Sequence, residues 1–252
     1  MTTGRLTVVG LGPGDAALVT DQVRASIAAA TDAFGYFPYV ERLAGMDHLR
    51  LHASDNREEL GRARQALDLA ASGRQVLMLS SGDPGVFAMA SAVFEVLDMA
   101  TPEQRQRWAA VDIEVQPGIT AMLAAAARLG APLGHDFCTI NLSDNLKPAA
   151  VIERRIRLAA QADFAMAFYN PCSRSRPEGF ARALRVLQQE CEPGRLVCFA
   201  RNVSRADETL DVLPLAQVQA DMADMRTVVI VGSSLTRRVG RHVYTPRSYP
   251  DA

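Results

Sequence analysis

The sequence predicts an α/β protein built as two successive α/β domains. Three observations carry this. Short apolar strand-like runs alternate with segments of helical periodicity, short turns join them, and the alternation restarts after Gly130. Strands that alternate with helices through short turns pair in parallel and carry the helices on the sheet faces.

Residues 6–10 form a buried strand that ends in Gly10-Leu11-Gly12-Pro13-Gly14-Asp15, a turn that glycine-rich sequence makes easily. Thr20 can cap a helix over 21–30. A strand over 32–36 follows, and 47–53 alternates apolar and polar residues as a third strand does. Residues 58–72 have helical periodicity, and Gly73 stops them. The apolar strand 76–80 runs into a second glycine turn, Ser81-Gly82-Asp83-Pro84-Gly85, and then a helix to about Leu97. A short strand over 112–115 is broken by Pro117-Gly118, and 119–129 is helical. After Gly130 come strand 137–142, helix 149–160, strand 164–169, helix 178–189 and strand 196–200. Further strands are expected over 208–213 and 227–231. The boundary falls in the 116–131 region, giving domains 1–118 and 119–252.

Hydrophobic residues make up 48% and charged residues 22% of the 252, enough apolar material for a proper core. The 27 basic and 28 acidic residues leave a net charge of −1, which argues against a nucleic-acid partner. No apolar run approaches the roughly 18–20 residues of a membrane span, and the first residues do not read as a secretory signal. The expectation is a cytoplasmic protein without a membrane partner. Cys138, Cys172, Cys191 and Cys198 contain no C-x-x-C pair. His48 and His52 share a strand face without a third ligand, so no metal site is expected.

The glycine turns point to a small-molecule site. The first departs from a dinucleotide fingerprint, because Asp15 occupies its third glycine position and Asp32 opens the second strand instead of closing it. No G-K-[ST] follows, which excludes a P-loop. Three breaks, at 10–15, 81–85 and 116–121, directly follow strands. In an open α/β sheet they share the edge where ligands bind.

At these turns the sequence resembles the tetrapyrrole methylase family. Val9-Gly10-Leu11-Gly12-Pro13-Gly14-Asp15 is similar to its opening motif, Ser80-Ser81-Gly82-Asp83-Pro84-Gly85-Val86-Phe87 to its second and Pro117-Gly118-Ile119-Thr120-Ala121 to its third. A narrower pattern runs through Leu133-Gly134-His135-Asp136-Phe137-Cys138, Leu142-Ser143-Asp144-Asn145-Leu146 and Val151-Ile152-Glu153-Arg154-Arg155. It continues in Phe168-Tyr169-Asn170-Pro171-Cys172-Ser173-Arg174-Ser175-Arg176 and Arg201-Asn202-Val203-Ser204-Arg205. It resembles the branch that methylates C17 of a cobalamin precursor and contracts the ring. The cobalt-containing version of the substrate, or methylation at another position, stays open.

The resemblance implies a mostly parallel N-terminal sheet, a mixed C-terminal sheet and an active-site trough between the domains. It also implies a homodimer, a tetrapyrrole substrate, and S-adenosyl-L-methionine as donor with S-adenosyl-L-homocysteine as product. Carried over by position, Pro13, Ser81, Gly82, Asp83, Val86 and Phe87 line the cofactor, and Thr120 and Ala121 meet its methionine part. Tyr169, Asn170, Asn202, Val203 and Thr227 surround the remainder. Gly10, Gly12 and Gly14 face the substrate.

Methyl transfer from a sulfonium to an electron-rich carbon needs alignment more than a strong base. No Ser/His/Asp or Cys/His constellation is required, and none is evident. Ring contraction, as the resemblance implies it, removes a proton from a hydroxyl on the bridging carbon. Asp15, His135, Asp144 and Glu208 are the candidates for that transfer. The substrate class is rich in carboxylates, and residues 147–205 hold eleven basic against five acidic residues. Arg174, Arg176, Arg201 and Arg205, in loops after strands, are the candidate substrate anchors.

Overall fold

The computed structural model describes residues 4–173 and 175–249. The chain divides after Thr120 into two compact units.

In the first unit, strands β1 (Arg5–Gly10), β2 (Asp32–Tyr36), β3 (Arg50–Ser54), β4 (Gln75–Ser80) and β5 (Asp112–Gln116) form one sheet in the order β3-β2-β4-β1-β5. Every pairing is parallel. Its helices are α1 (Asp21–Ala29), α2 (Phe37–Val40), α3 (Glu59–Ala71), α4 (Met89–Asp98) and α5 (Pro102–Trp108). β1 and β4 are buried on both faces, which is why they read as continuous apolar runs. Leu6, Val8, Val76 and Met78 pack with α3 and α4, while Val9, Leu77 and Leu79 pack on the other face with Val23 and Ile27 of α1. Thr20 caps α1 by accepting from the Val23 amide at 3.2 Å.

Helix α6 (Ala121–Leu129) opens the second unit, followed by β6 (Gly130–Ala131), β7 (Phe137–Asn141), α7 (Ala149–Gln161), β8 (Ala165–Tyr169) and α8 (Gly179–Glu190). Strands β9 (Leu196–Arg201), β10 (Thr209–Pro214), β11 (Thr227–Val231), β12 (Arg237–Val239) and β13 (His242–Tyr244) complete it. The main sheet has the order β10-β9-β11-β8-β7, with only β7 and β8 parallel, so it is mixed. Ile152 and Ile156 of α7 and Phe180, Leu184 and Leu187 of α8 bury one face against Met166, Phe168, Phe199 and Val229. A small sheet, β12-β13-β6, stands beside it.

Some elements differ from expectation. The third strand starts at Arg50 instead of 47, because residues 46–49 turn, with the Leu49 amide donating to Met46. The helix expected from 119 begins at Ala121, after an extended Pro-Gly segment. Helix α5 and the β12–β13 hairpin are additions that periodicity did not show.

Candidate functional site

In the first unit the order β4-β1-β5 puts the three glycine turns side by side at the C-terminal ends of adjacent strands. They touch through backbone. Gly12 and Gly82 exchange hydrogen bonds, with N···O of 3.2 and 2.9 Å. A Cβ on Gly118 would lie 2.2 Å from the Gly82 carbonyl oxygen and 2.8 Å from the Gly10 Cα. These glycines are therefore required by the close approach of three chain segments. Gly12 and Gly82 also adopt left-handed backbone, at φ 68° and 61°.

Asp83 joins the second and third turns. One carboxylate oxygen accepts from the Gly85 amide at 2.8 Å and the other from the Gly118 amide at 3.0 Å. Arg42, which the sequence reading did not single out, braces the first turn. Its guanidinium donates to the carbonyls of Leu11 at 2.7 Å and of Gly12 and Gly14 at 3.4 Å each. No local pattern marks it, because the contact spans about thirty residues of chain. Asp15 accepts from the Ala17 amide at 2.8 Å and so caps a short 3-10 helix. Pro13, Ser81, Val86, Phe87 and Thr120 lie on the same three turns; Phe87 is exposed and held at φ 54°.

In the second unit another set converges on one end of the mixed sheet. Tyr169 ends β8 and Asn170 follows it, Asn202 and Val203 follow β9, and Thr227 starts the antiparallel β11. The Tyr169 hydroxyl accepts from the Met122 amide at 2.8 Å, drawing the first turn of α6, and with it Ala121, to the end of β8. Asn170 and Asn202 adopt left-handed backbone, at φ 53° and 49°. Asn170 donates to Asn141 Oδ1 at 3.1 Å, and Asn202 donates to Asp207 at 2.6 Å. Glu208 fixes the following turn by accepting from the Ser204 amide at 2.6 Å, and Arg128 lies 3.4 Å from it. Thr227 donates to Asp224 at 2.8 Å, and Asp224 pairs with Arg201 at 2.9 Å. Burial pushes the Asp224 carboxyl up, but the Thr227, Arg201 and Arg226 amide hydrogen bonds outweigh it and hold it low.

The candidates are not all brought together. His135 precedes β7, whereas Asn141 and Tyr169 end the parallel β7 and β8. It therefore stands at the other end of the sheet, on the order of 15 Å from that rim. Its Nδ1 accepts from the Asp136 amide, and its ring meets Tyr249 edge-on. Asp144 is bound to Arg182 at 2.7 Å. Arg201 is matched by Asp224, Arg205 is exposed, and Arg174 lies outside the described residues. Burial, with Asp224 nearby, pushes the Cys172 thiol up; it donates to the Ala223 carbonyl at 3.0 Å. Among the described residues no group of three or more His, Cys, Asp or Glu could hold a metal ion, and no helix is long and apolar enough to cross a membrane.

Comparison with known proteins adds to this geometry. A family model described as tetrapyrrole (corrin/porphyrin) methylases matches residues 5–219. The chain is 52% identical, over 99% of both sequences, to a precorrin-3B C(17)-methyltransferase of Sinorhizobium sp. It is 37% identical, over 97% of this chain and 99% of the relative, to a probable cobalt-factor III C(17)-methyltransferase of Salmonella typhimurium. Its structure is similar to that of the methyltransferase CobJ, with a TM-score of 0.92, 59% identity and coverage of 96% of this chain and all of the other.

Proposed function

The chain belongs to the tetrapyrrole (corrin/porphyrin) methylase family, and from that membership we propose that it methylates C17 of precorrin-3B and contracts the ring to precorrin-4, a step of cobalamin biosynthesis. The observation that carries this is the 52% identity, end to end, with a relative of that name. The metal-free substrate is favoured over cobalt-factor III because the cobalt-acting relative is less similar, at 37%.

S-adenosyl-L-methionine, when bound, supplies a methyl group on a sulfonium, an electrophile that an electron-rich ring carbon attacks directly. The residues at the rim of the second unit suit such a donor. Tyr169 fixes the first turn of α6 by accepting from the Met122 amide, and a helix N-terminus favours a carboxylate. In this reading Thr120 and Ala121 hold the methionine part. Tyr169, Asn170, Asn202, Val203 and Thr227 surround the rest. Pro13, Ser81, Gly82, Val86 and Phe87, on the turns of the first unit, are further proposed donor contacts, and Asp83 acts by tying the turns.

Gly10, Gly12 and Gly14 present the first turn to the macrocycle, braced by Arg42. Rigid turns of this kind hold the carbon and methyl in line, which is the main service the protein renders to this chemistry. Asp15 and Glu208 remain the proposed proton-transfer groups for ring contraction; Asp144 is taken up by Arg182, and His135 is the least suited by position. A homodimer working in the cytoplasm completes the proposal.

The test is incubation with methyl-labelled donor and either metal-free precorrin-3B or cobalt-factor III. Faster label transfer to the metal-free ring is expected. Transfer to the cobalt form alone would overturn the substrate assignment, and transfer to neither would overturn the activity.

A further inference from the structure

Basic side chains gather in the second unit around one carboxylate. Asp144, in the loop after β7, accepts from Arg182 at 2.7 Å, while Arg176 Nη1 stands 3.9 Å from its other oxygen. The second distance is too long for a hydrogen bond, and Arg176 Nη1 is buried with no acceptor. The backbone beneath it is fixed, since Arg176 and Ser173 exchange two hydrogen bonds of 3.0 Å. Only 12% of the Arg176 side chain is exposed. Lys147 lies in the same field. Burial first, and then the positive charges of Arg155 and Arg176, push its ammonium below the usual range, against an opposing pull from Asp144.

The Asp144 carboxylate thus pairs with Arg182 and, at longer range, with Arg176, and Lys147 follows three residues on in the same loop. A buried guanidinium nitrogen costs free energy unless an acceptor meets it. Asp144 and Lys147 lie on the loop after β7, Arg176 on the loop after β8 and Arg182 on α8; the two loops leave the strand ends at Asn141 and Tyr169. Resting on the tetrapyrrole reading above, the geometry points to a site, formed by Lys147 and Arg176 and braced by the Asp144–Arg182 pair, that anchors one carboxylate side chain of the macrocycle. Arg176 offers a planar fork and Lys147 a point charge, a combination that suits a carboxylate on a flexible chain. Asp144 is here a positioning residue. Arg201, already paired with Asp224, contributes no free charge to this anchor.

Fluorescence titration with uroporphyrin, a metal-free tetrapyrrole carrying acetate and propionate chains, tests the site. Calorimetry with S-adenosylhomocysteine on the same preparations is the control. Lys147→Met and Arg176→Gln should each weaken uroporphyrin binding roughly tenfold or more, and Arg176→Lys should recover part of the loss. S-adenosylhomocysteine binding should not change. Uroporphyrin affinity within about twofold of the parent in Lys147→Met and in a folded Arg176→Gln overturns the site. If Arg176→Gln does not fold, Lys147→Met decides alone. Equal loss of both ligands makes the residues structural and also overturns it. A parent protein that binds S-adenosylhomocysteine but no uroporphyrin instead sinks the tetrapyrrole reading, and this site with it.

Discussion

Replacing Asp83 with Asn should loosen the glycine turns and weaken donor binding together. The Asp83 carboxylate accepts two backbone hydrogen bonds, from Gly85 at 2.8 Å and Gly118 at 3.0 Å. Asn has one oxygen, so its NH2 group must face one of these amides, donor against donor. The bond that survives loses its charge assistance. Losing one such bond and weakening the other costs about 2 kcal/mol. For a chain of this length that lowers Tm by roughly 4–8 °C. The space a Cβ on Gly118 would need is filled by Gly10 and Gly82, so a shift there moves all three turns. Thermal unfolding and calorimetric titration with S-adenosylhomocysteine, on the same preparation, should therefore both respond. An unchanged Tm with weakened binding would refute the reasoning, because it would make Asp83 a ligand contact and not a tie between turns.

Gly118→Ala places a Cβ 2.2 Å from the Gly82 carbonyl oxygen and should cost about 3 kcal/mol or more, read by denaturant unfolding. Tyr169→Phe removes the acceptor of the Met122 amide; a loss of about 1–2 kcal/mol is expected, with S-adenosylhomocysteine affinity falling in calorimetry. Asp32, buried at the start of β2, is pushed up by desolvation, but hydrogen bonds from His52, Thr31 and Arg74 outweigh that and hold its carboxyl low. A carboxyl held low stabilises the fold above its unfolded pKa, near 4, and the contribution fades as pH falls through the lower folded value. Asp32→Asn should therefore lower stability at neutral pH and flatten the loss of stability below about pH 4, followed by chemical denaturation across pH.

Strands buried on both faces were legible almost to the residue. Asp32–Tyr36 and Thr227–Val231 stand where the apolar runs put them. Edges were less clear. Arg50–Ser54 is a partly exposed edge strand, and the alternation ahead of it at 47–49 belongs to a turn. Helix α5 is polar on nearly every position, so periodicity missed it. Its signal was chemical: Thr101 and Gln104 form a capping box, with Pro102 at the first helical position. The glycine turns were found as three separate breaks, and the β4-β1-β5 order explains why their glycines are packed against one another. Arg42 and the Arg182–Asp144 pair could not be read from local pattern, because each joins segments about thirty or more residues apart. Conversely, His135 looked chemical in sequence, and only the parallel β7–β8 pairing shows that it lies away from the rim.

Carbon NMR of the product formed from precorrin-3B and donor labelled with carbon-13 in its methyl group tests the central claim most directly. The account predicts one enriched methyl on C17 and a former bridging carbon now outside a contracted ring. Enrichment at any other ring position, or a macrocycle of unaltered size, would contradict it.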